Sequence, residues 1–327
     1  MSYEFKRPTK NGESEIVTIV GKSKQMWEIF DQIDRLKNFD FPVLITGETG
    51  TGKRLVTEAL HYSGKRSKKE YLSINCGAIQ ESVLANELFG HLKGAYTEAD
   101  RTTKGFFDVC NGGTLNLDEI TMLSPRVQST FLTIVEQGYF NKIGGPKKVY
   151  VDVRVIASTN NADITELRQD LYQRLSTVVI RVPPLRERRG DIPLLIQYYM
   201  DYFQKFYSKP VKPFSRKEID RFVSADWPGN VRELEHAIER IICLDCPREL
   251  TVNNNGNTTN NGGSAVYLVE GNLTLRELEK EHVLRVLEQQ GGNKTISAKI
   301  LGIDLSTLHR RLNKWRKEEL LKEAQVS

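Results

Sequence analysis

The sequence predicts an α/β domain with a mainly parallel sheet, followed by two smaller all-α units. From about Ile16, short apolar runs such as "FPVLI" alternate with amphipathic helical segments, which is typical of a parallel sheet with helices on both faces. After "VPPLRERRGDIP" the strand patterns stop and apolar residues recur at helical spacing. A tract rich in Asn, Gly and Thr, "TVNNNGNTTNNGGSA", has too little apolar surface to fold by itself. We therefore expect a short N-terminal extension, an α/β domain, a small helical domain, a flexible linker and a C-terminal helical domain, over residues 1–15, 16–190, 191–250, 251–269 and 270–327.

The composition excludes a membrane-spanning protein and a disulfide-stabilised secreted one. Hydrophobic residues make up 39% of the chain, and no apolar run approaches the roughly 18 residues of a membrane span. The N-terminus lacks the apolar stretch of a secretory signal, so we expect a cytoplasmic protein without a membrane partner. The four cysteines are scattered, and for Cys243 and Cys246 we favour thiols near a helix end over a zinc site.

A phosphate-binding loop lies between an apolar strand and a helix. The segment 47–53, "GETGTGK", has the strand before it and the helical pattern after it that a G-x-x-x-x-G-K loop requires. Its glycines allow backbone N–H groups to converge on phosphate oxygens, and Lys53 adds a positive charge. Arg54 stands where the general motif has the Ser or Thr that holds Mg²⁺. We expect nucleotide binding by the residues Gly47, Glu48, Thr49, Gly50, Thr51, Gly52, Lys53 and Arg54.

Two acidic residues end a second strand, in "GGTLNLDEI". We expect Asp118 to hold Mg²⁺, directly or through water, and Glu119 to polarise the attacking water as a general base. Acid pairs also commonly cap helices, but a phosphate loop upstream needs a metal-binding partner of this kind. After a third strand, "STNNADI" adds Asn160 near the γ-phosphate end of the site.

Arg168 and Arg174 in "LRQDLYQRL" permit two interpretations. A guanidinium that reaches the γ-phosphate of an adjacent subunit would neutralise the charge that develops during phosphoryl transfer. Two arginines on one helix are, however, more often surface charges.

The segment of residues 90–105, "GHLKGAYTEADRTTKG", suits neither a core nor a phosphate site, since it offers one Tyr among small, polar and charged residues. We call it the 90–105 loop. It belongs to an ordered series of motifs: "GETGTGK", "INCGAI", "ELFGHLKGAYTEA", "GGTLNLDEI", "DLYQRL", "PPLRERRGDI" and "WPGNVREL". This series resembles the central AAA+ domain of bacterial enhancer-binding proteins, the activators of sigma-54 RNA polymerase. The final segment, "NKTISAKILGIDLSTLHRRLNKW", resembles the Fis-type helix-turn-helix that ends those proteins.

The resemblance implies an α/β AAA+ core with a P-loop parallel sheet, a small helical lid and an all-α helix-turn-helix domain. It also implies ATP and Mg²⁺ as cofactors and a ring oligomer, a hexamer with dimeric DNA-binding ends. Asn75 matches the residue that hydrogen-bonds the Walker B glutamate, here Glu119, and Arg232 matches the sensor II arginine. Arg168 and Arg174 match the two trans-acting arginines. The residues expected in catalysis are thus Lys53, Asn75, Asp118, Glu119, Arg168 and Arg174.

For the 90–105 loop the resemblance implies contact with sigma-54. The family's GAFTGA signature stands here as Gly94, Ala95, Tyr96, Thr97, Glu98 and Ala99. Tyr96 keeps an aromatic face in place of Phe, whereas Glu98 adds a charge and removes a permissive glycine. The stretch between "STNNADI" and "LRQDLYQRL" is also shorter than the family norm.

The C-terminal segment predicts a DNA-binding helix-turn-helix. A short helix meets a turn at Gly302, and a second helix begins near Asp304 or Leu305. The second helix has short hydroxyls and a His suited to base edges, with Arg and Lys suited to phosphates. The candidate DNA contacts are Ser306, Thr307, His309, Arg310, Arg311 and Lys314.

Taken together, these features predict an ATP-driven activator that binds upstream DNA and remodels the closed complex of the sigma-54 RNA polymerase holoenzyme. With only about fifteen residues before the AAA+ domain, we expect control by expression level or by a separate inhibitory regulator protein. One alternative is a nucleotide-controlled regulator or repressor whose GAYTEA loop no longer engages sigma-54. A protein-remodelling AAA+ chaperone is a more remote one, because the helix-turn-helix argues against it.

Overall fold

The computed structural model describes most of residues 2–244 and a set of positions near the C-terminus. Within the first range it leaves out residues 10, 12, 97, 98, 161–163 and 211. Beyond it, the described positions are 283, 287, 293, 294, 297, 298, 307, 308, 311, 312 and 315. The chain forms two compact units, residues 1–250 and 251–327.

The first unit is built around a parallel sheet. In the part of the chain that the structure describes, this sheet has five strands in the order β4-β5-β8-β3-β9, each parallel to its neighbours. The strands are β3 (Val43–Thr46), β4 (Tyr71–Asn75), β5 (Thr114–Asp118), β8 (Arg154–Thr159) and β9 (Val179–Arg181). This confirms the predicted sheet.

Alternate residues of each central strand enter two different cores, because successive strand side chains point to opposite faces. In β3, Val43 and Ile45 pack in one core and Leu44 in the other. One face is covered by α1 (Lys24–Leu36), α2 (Lys53–Tyr62) and a hairpin of β1 (Ser2–Pro8) and β2 (Ser14–Val20). The other is covered by α3 (Glu81–Phe89), α4 (Phe106–Val109), α5 (Pro125–Gln137) and α6 (Gln169–Leu175). A second hairpin joins β6 (Tyr139–Asn141) and β7 (Lys148–Tyr150).

The N-terminal hairpin gives structure to the segment expected as a short extension. Strand β1 pairs antiparallel with β2, and Phe5 and Ile19 from the two strands are both buried. Arg7 of β1 donates to the carboxylate of Glu58 on α2 at 2.6 Å, and the Glu58 side chain is only 2% exposed. The hairpin is therefore tied to the helix that follows the phosphate loop.

One buried arginine of the sheet hydrogen-bonds the C-terminal ends of two helices. Arg154, the first residue of β8, is 1% exposed and donates to the carbonyl oxygens of Leu36, Lys37 and Leu60 at 2.9–3.1 Å. These carbonyls lie at the C-termini of α1 and α2, where no intrahelical partner exists. Burial lowers the pKa of the Arg154 guanidinium to about 10.

The predicted helical domain consists of α7 (Ile192–Tyr207), α8 (Arg216–Ser224) and α9 (Asn230–Leu244). Helix α8 begins with a capping box, in which Ser215 Oγ accepts from the Glu218 backbone and the Glu218 carboxylate accepts from the Ser215 backbone. The indole of Trp227 donates to the Phe222 carbonyl at 2.8 Å and stacks on the Phe222 ring. Cys243 is a free, partly exposed thiol near the end of α9, and Cys246 lies outside the described residues.

In the second unit every described position but 293 is helical. Four of these residues form a core, namely Val283, Ala298, Leu308 and Trp315, with Leu287 and Leu312 packed against it. In the described parts of both units, no helix combines the length and the apolar character needed to cross a membrane.

Candidate nucleotide site and the 90–105 loop

The predicted nucleotide residues meet at one edge of the sheet. The carboxyl ends of β3, β5 and β8 lie side by side, because parallel strands all end at the same edge. A pocket of about 510 Å³ opens there. Its lining includes the phosphate loop from Thr49 to Arg54, together with Asn75, Asp118, Glu119 and Arg232.

The phosphate loop feeds directly into α2, whose N-cap is Gly52 at a φ of 101°. Lys53 Nζ donates to the carbonyl oxygens of Gly47 and Glu48 at 2.7 and 3.1 Å, so its charge stays above the loop. Burial lowers the pKa of Lys53, and the carboxylates of Asp118 and Glu119 oppose that shift. Arg54 turns away from the loop and pairs with Glu58 at 2.9 Å.

The two acids leave the sheet in different directions. Asp118 Oδ1 accepts from Ser158 Oγ at 2.6 Å, which fixes the carboxylate against the neighbouring strand β8. Glu119 has a φ of 56°, an unfavourable conformation for a residue with a side chain. Strain of this kind is concentrated at functional sites, and here it turns Glu119 out of the strand direction toward the pocket that it lines.

Asn75 pairs with Asp118 in the sheet register but does not form the side-chain contact that the resemblance implies. Its Oδ1 accepts from the backbone N–H groups of Gly77 and Ala78 at 2.8 and 3.1 Å, and so caps the 3₁₀ turn that follows β4. The expected hydrogen bond, from the Asn75 amide Nδ2 to the Glu119 carboxylate, is not formed in this structure, where the described contacts of the Asn75 side chain are those of its oxygen with the turn. Glu119 instead lies against this turn, since its Oε2 is 2.5 Å from the point that a Cβ on Gly77 would occupy.

Asn160 and Arg232 reach the phosphate loop from different sides. Asn160 Nδ2 donates to Thr49 Oγ1 at 3.4 Å, and the Arg232 backbone N–H donates to the Gly50 carbonyl at 3.3 Å. The structure therefore brings both predicted residues to the site.

Arg168 and Arg174 do not line this pocket. Arg168 donates to the Asp170 carboxylate and to Ser129 Oγ, with a side chain that is 45% exposed. Arg174 donates to Glu136 at 2.8 Å and is 62% exposed. Both guanidinium groups thus lie on the surface, away from the phosphate loop of their own chain.

Sequence reasoning missed the apolar wall of the pocket. It is formed by residues of β2, α1 and α7, namely Val17, Ile19, Val20, Met26, Leu195, Tyr198, Tyr199 and Tyr202. Burial raises the pKa of the Tyr199 hydroxyl, so the ring presents a neutral surface. Such a wall suits a planar aromatic base. The tyrosines in "LLIQYYMDYFQKFY" recur at helical spacing, and that was the available signal.

The 90–105 loop is bridged between Gly94 and Ala99 and is exposed at Tyr96. The Gly94 N–H donates to the Ala99 carbonyl at 2.8 Å, while Thr97 and Glu98 lie outside the described residues. The Tyr96 ring is 46% exposed and lies 5.1 Å from the His91 ring. Asn86 Nδ2 also donates to the Tyr96 hydroxyl at 3.4 Å. The loop therefore offers an aromatic surface that the core does not use.

Of the candidate DNA contacts, Thr307 and Arg311 occupy helical positions in the second unit. Ser306, His309, Arg310 and Lys314 lie outside the described residues.

Comparisons with known proteins decide the family. Residues 19–181 match the sigma-54 interaction domain, residues 186–259 the AAA+ ATPase lid domain, and residues 274–315 the bacterial regulatory protein, Fis family. The chain is 41% identical to the transcriptional regulatory protein ZraR of Escherichia coli, over 90% of this chain and 68% of that protein. The chain belongs to the sigma-54-dependent transcriptional activators.

Other activators and solved structures agree with this assignment. The Nif-specific regulatory protein of Azotobacter vinelandii is 38% identical, over 87% of this chain and 56% of that protein. The crystal structure of NtrX from Brucella abortus in complex with ATP is 30% identical, with a TM-score of 0.64 over 90% of this chain and 68% of that one. The sigma-54 activator described here is thus an AAA+ ATPase with a helical lid and a Fis-type helix-turn-helix, as the sequence predicts.

Proposed function

We propose that this activator binds upstream DNA, assembles into a ring and uses ATP hydrolysis between subunits to drive the 90–105 loop against sigma-54. The observation that carries the proposal is Tyr96, an exposed aromatic residue that the core does not bury, on a loop that does not line the nucleotide pocket. An ATPase that acts on a partner needs such a surface apart from its own site. DNA as a partner implies that the protein acts in the cytoplasm.

Within one subunit, three side chains would carry the chemistry. Lys53, together with the N–H groups at the start of α2, would hold the phosphates of ATP. Asp118 is oriented by Ser158 and would hold Mg²⁺. Glu119 would accept a proton from the attacking water, because its carboxylate lines the same pocket.

The residues present fit Mg²⁺ held largely by water and substrate. Among the described residues, no group of three or more His, Cys, Asp or Glu side chains gathers as a metal cage. Mg²⁺ in nucleotide sites commonly takes one or two carboxylates plus phosphate oxygens and waters, so Asp118 suffices as the fixed protein ligand. When bound, the ion neutralises charge on the phosphates and so favours transfer of the γ-phosphoryl group.

Arg168 and Arg174 support the assembly of a ring. Their guanidinium groups are exposed and lie away from the pocket of their own chain, where the γ-phosphate needs positive charge. In a neighbouring subunit's site, each would neutralise the charge that develops in the transition state. In a hexamer, each subunit's Arg168 and Arg174 would lie at the nucleotide site of a neighbour, and the DNA-binding ends of the subunits would pair.

A single substitution separates sigma-54 contact from ATP hydrolysis. We expect Tyr96→Ala to abolish transcription from a sigma-54 promoter in a purified system and to leave phosphate release from ATP unchanged. Tyr96→Phe should retain activation, because the aromatic face is kept. The matched control is Phe39→Ala between α1 and β3, which removes another exposed aromatic ring and should leave both activities intact. Activation that survives Tyr96→Ala would overturn the assignment of the loop.

A further inference from the structure

Four consecutive residues of the phosphate loop, 48–51, accept hydrogen bonds from one later segment of the first unit, residues 186–232. The Glu48 carboxylate accepts from Arg186 and Asn230, and the Thr49 carbonyl accepts from Asn230. The Gly50 carbonyl accepts from the Arg232 backbone N–H at 3.3 Å. The Thr51 carbonyl accepts from Arg188 Nη2 at 2.7 Å. The shape of the loop thus depends on residues that lie more than a hundred positions away.

Asn230 is the centre of these contacts. It is completely buried, and its φ of 54° places the first residue of α9 in the left-handed region. Its Oδ1 accepts from the Leu185 N–H at 2.7 Å, while Nδ2 donates to Glu48 Oε2 at 3.2 Å and to the Thr49 carbonyl at 3.0 Å. One amide side chain therefore connects the phosphate loop, the start of α9 and the segment before α7.

The surrounding charges and packing leave the loop little freedom to move alone. Arg186 forms a forked pair with the Glu48 carboxylate, one arm of which measures 2.7 Å, and this pair lowers the pKa of Glu48. Gly50 approaches the turn before α9 so closely that a Cβ would lie 2.2 Å from the Gly229 carbonyl oxygen. A displacement of α9 must accordingly displace the phosphate loop.

We propose that Asn230 is a positioning residue that clamps the phosphate loop to the lid, so that nucleotide affinity and lid position are set together. The proposal rests on the proposed role of residues 47–53 as the phosphate site. With the clamp in place, the backbone N–H groups of the loop are held ready for phosphate, which spares the entropy of ordering them on binding. By linkage, bound nucleotide must in turn stabilise the lid position that the clamp requires.

The test compares two variants that remove the clamp in different ways. Asn230→Gly keeps a backbone that tolerates positive φ and removes the side chain, whereas Asn230→Asp keeps the shape and the acceptor but loses the amide donors. Each should raise the Kd of a fluorescent ADP analogue by about ten-fold or more, because both lose the hydrogen bonds that Nδ2 donates to Glu48 and to the Thr49 carbonyl. The KM for ATP should rise more than kcat falls, because the reacting groups are untouched.

Two further variants distinguish a clamp from a general structural role. In Asn230→Asp the new carboxylate faces the Glu48 carboxylate, and neither can donate. Adding Glu48→Gln restores a hydrogen bond in the opposite direction, since the amide at position 48 can donate to the carboxylate at position 230. This double variant should bind ADP more tightly than Asn230→Asp alone, an outcome that a loss of fold would not give. Ser208→Gly is the backbone control, since Ser208 is an exposed residue at a φ of 52° and lies at the end of α7. It should leave the Kd unchanged.

A Lys53→Ala variant keeps failure of the clamp apart from failure of the phosphate site. If it binds the ADP analogue as tightly as the unmodified protein, residues 47–53 are not the phosphate site. If Lys53→Ala loses binding while Asn230→Gly and Asn230→Asp both bind normally, the phosphate site stands and the clamp is wrong. The absence of any rescue by the Glu48→Gln double variant would also overturn the clamp.

Discussion

His61 gives the structure a specific sensitivity to acid. It lies on α2, the helix that begins at the phosphate loop, and its side chain is completely buried. Nδ1 is 2.8 Å from Thr114 Oγ1, and the rings of Tyr62 and Tyr71 lie 4.7 and 5.1 Å away. Burial lowers the pKa of His61 from 6.5 to about 4; a hydrogen bond to the Lys69 backbone opposes this shift, and the guanidinium groups of Arg154 and Arg66 contribute to it.

The sign of the pH effect follows from the two pKa values. Well above pH 6.5 the imidazole is neutral in both the folded and the unfolded chain, so it does not change the free energy of unfolding with pH. Between pH 6.5 and about 4 the unfolded chain binds a proton that the folded chain does not bind, so the free energy of unfolding decreases as the pH falls. Each pKa unit is worth about 1.4 kcal/mol, which gives a loss of about 2 kcal/mol by pH 5 and about 3 kcal/mol at and below pH 4.

The non-titrating variant His61→Gln isolates this contribution. We would measure urea unfolding of both proteins by far-ultraviolet circular dichroism at pH 7.5 and pH 5, and take the difference between the two proteins at each pH. Acidic side chains that also titrate in this range cancel in that difference. The unmodified protein should lose about 2 kcal/mol relative to His61→Gln between the two pH values. A difference that is the same at both would show that His61 is not held neutral by burial.

Two other substitutions test contacts at the site and behind it. Ser158→Ala should lower kcat for ATP about ten-fold, because it removes the hydroxyl that holds the Asp118 carboxylate. Ser158→Thr keeps a hydroxyl and should retain most of the activity. Unchanged phosphate release in the alanine variant would contradict this role of Ser158. Arg7→Ala should destabilise the protein by about 2 kcal/mol, because the buried Glu58 carboxylate loses a charged donor. Arg7→Lys should recover part of that loss, and a urea midpoint unaffected by Arg7→Ala would refute the coupling of the hairpin to α2.

The sequence predicted the parallel sheet because its strands are local patterns, with apolar runs that end in glycines or acids. The N-terminal hairpin was missed for the opposite reason. Strand β1 is mostly polar or half-exposed, and its stability depends on pairing with β2 and on the cover that Phe5 gives to α2. Neither contact is visible in residues 1–15 taken alone. The order of strands in the sheet was likewise not predicted, since it depends on packing between distant segments.

The site was predicted where its residues form consecutive motifs and missed where they do not. Lys53, Asp118 and Glu119 stand in short signatures with a direct chemical meaning. Tyr199 and Asn230 enter the site from helices far along the chain, and in sequence each has an ordinary structural interpretation. The contact between Asn75 and Glu119 was expected from resemblance, but in the structure the Asn75 side chain caps the local turn through its oxygen and does not donate to Glu119.

The nucleotide pocket and the 90–105 loop are separated by one short helix. Asn75 ends β4 beside Asp118, the 3₁₀ turn Cys76–Ala78 follows, and α3 then leads to Gly90, where the loop begins. A movement at the Glu119 carboxylate meets this turn at once, because Oε2 lies against Gly77. The Glu119 carboxylate is thus in contact with the turn that precedes α3.

The far end of α3 is equally constrained, and this determines where movement can emerge. Gly90 and Gly105 approach so closely that a Cβ on Gly105 would lie 2.5 Å from the Gly90 nitrogen, and Lys142 donates to the Thr103 carbonyl at 3.1 Å. The two ends of the loop are therefore joined to each other and to the β6–β7 hairpin. Stretching the base of the loop would break the hydrogen bond that the Thr103 N–H donates to the His91 carbonyl at 2.9 Å, so we expect displacement of α3 to carry both ends of the loop with it. We expect such a displacement to tilt the loop, and the exposed Tyr96 is the residue that the tilt would move.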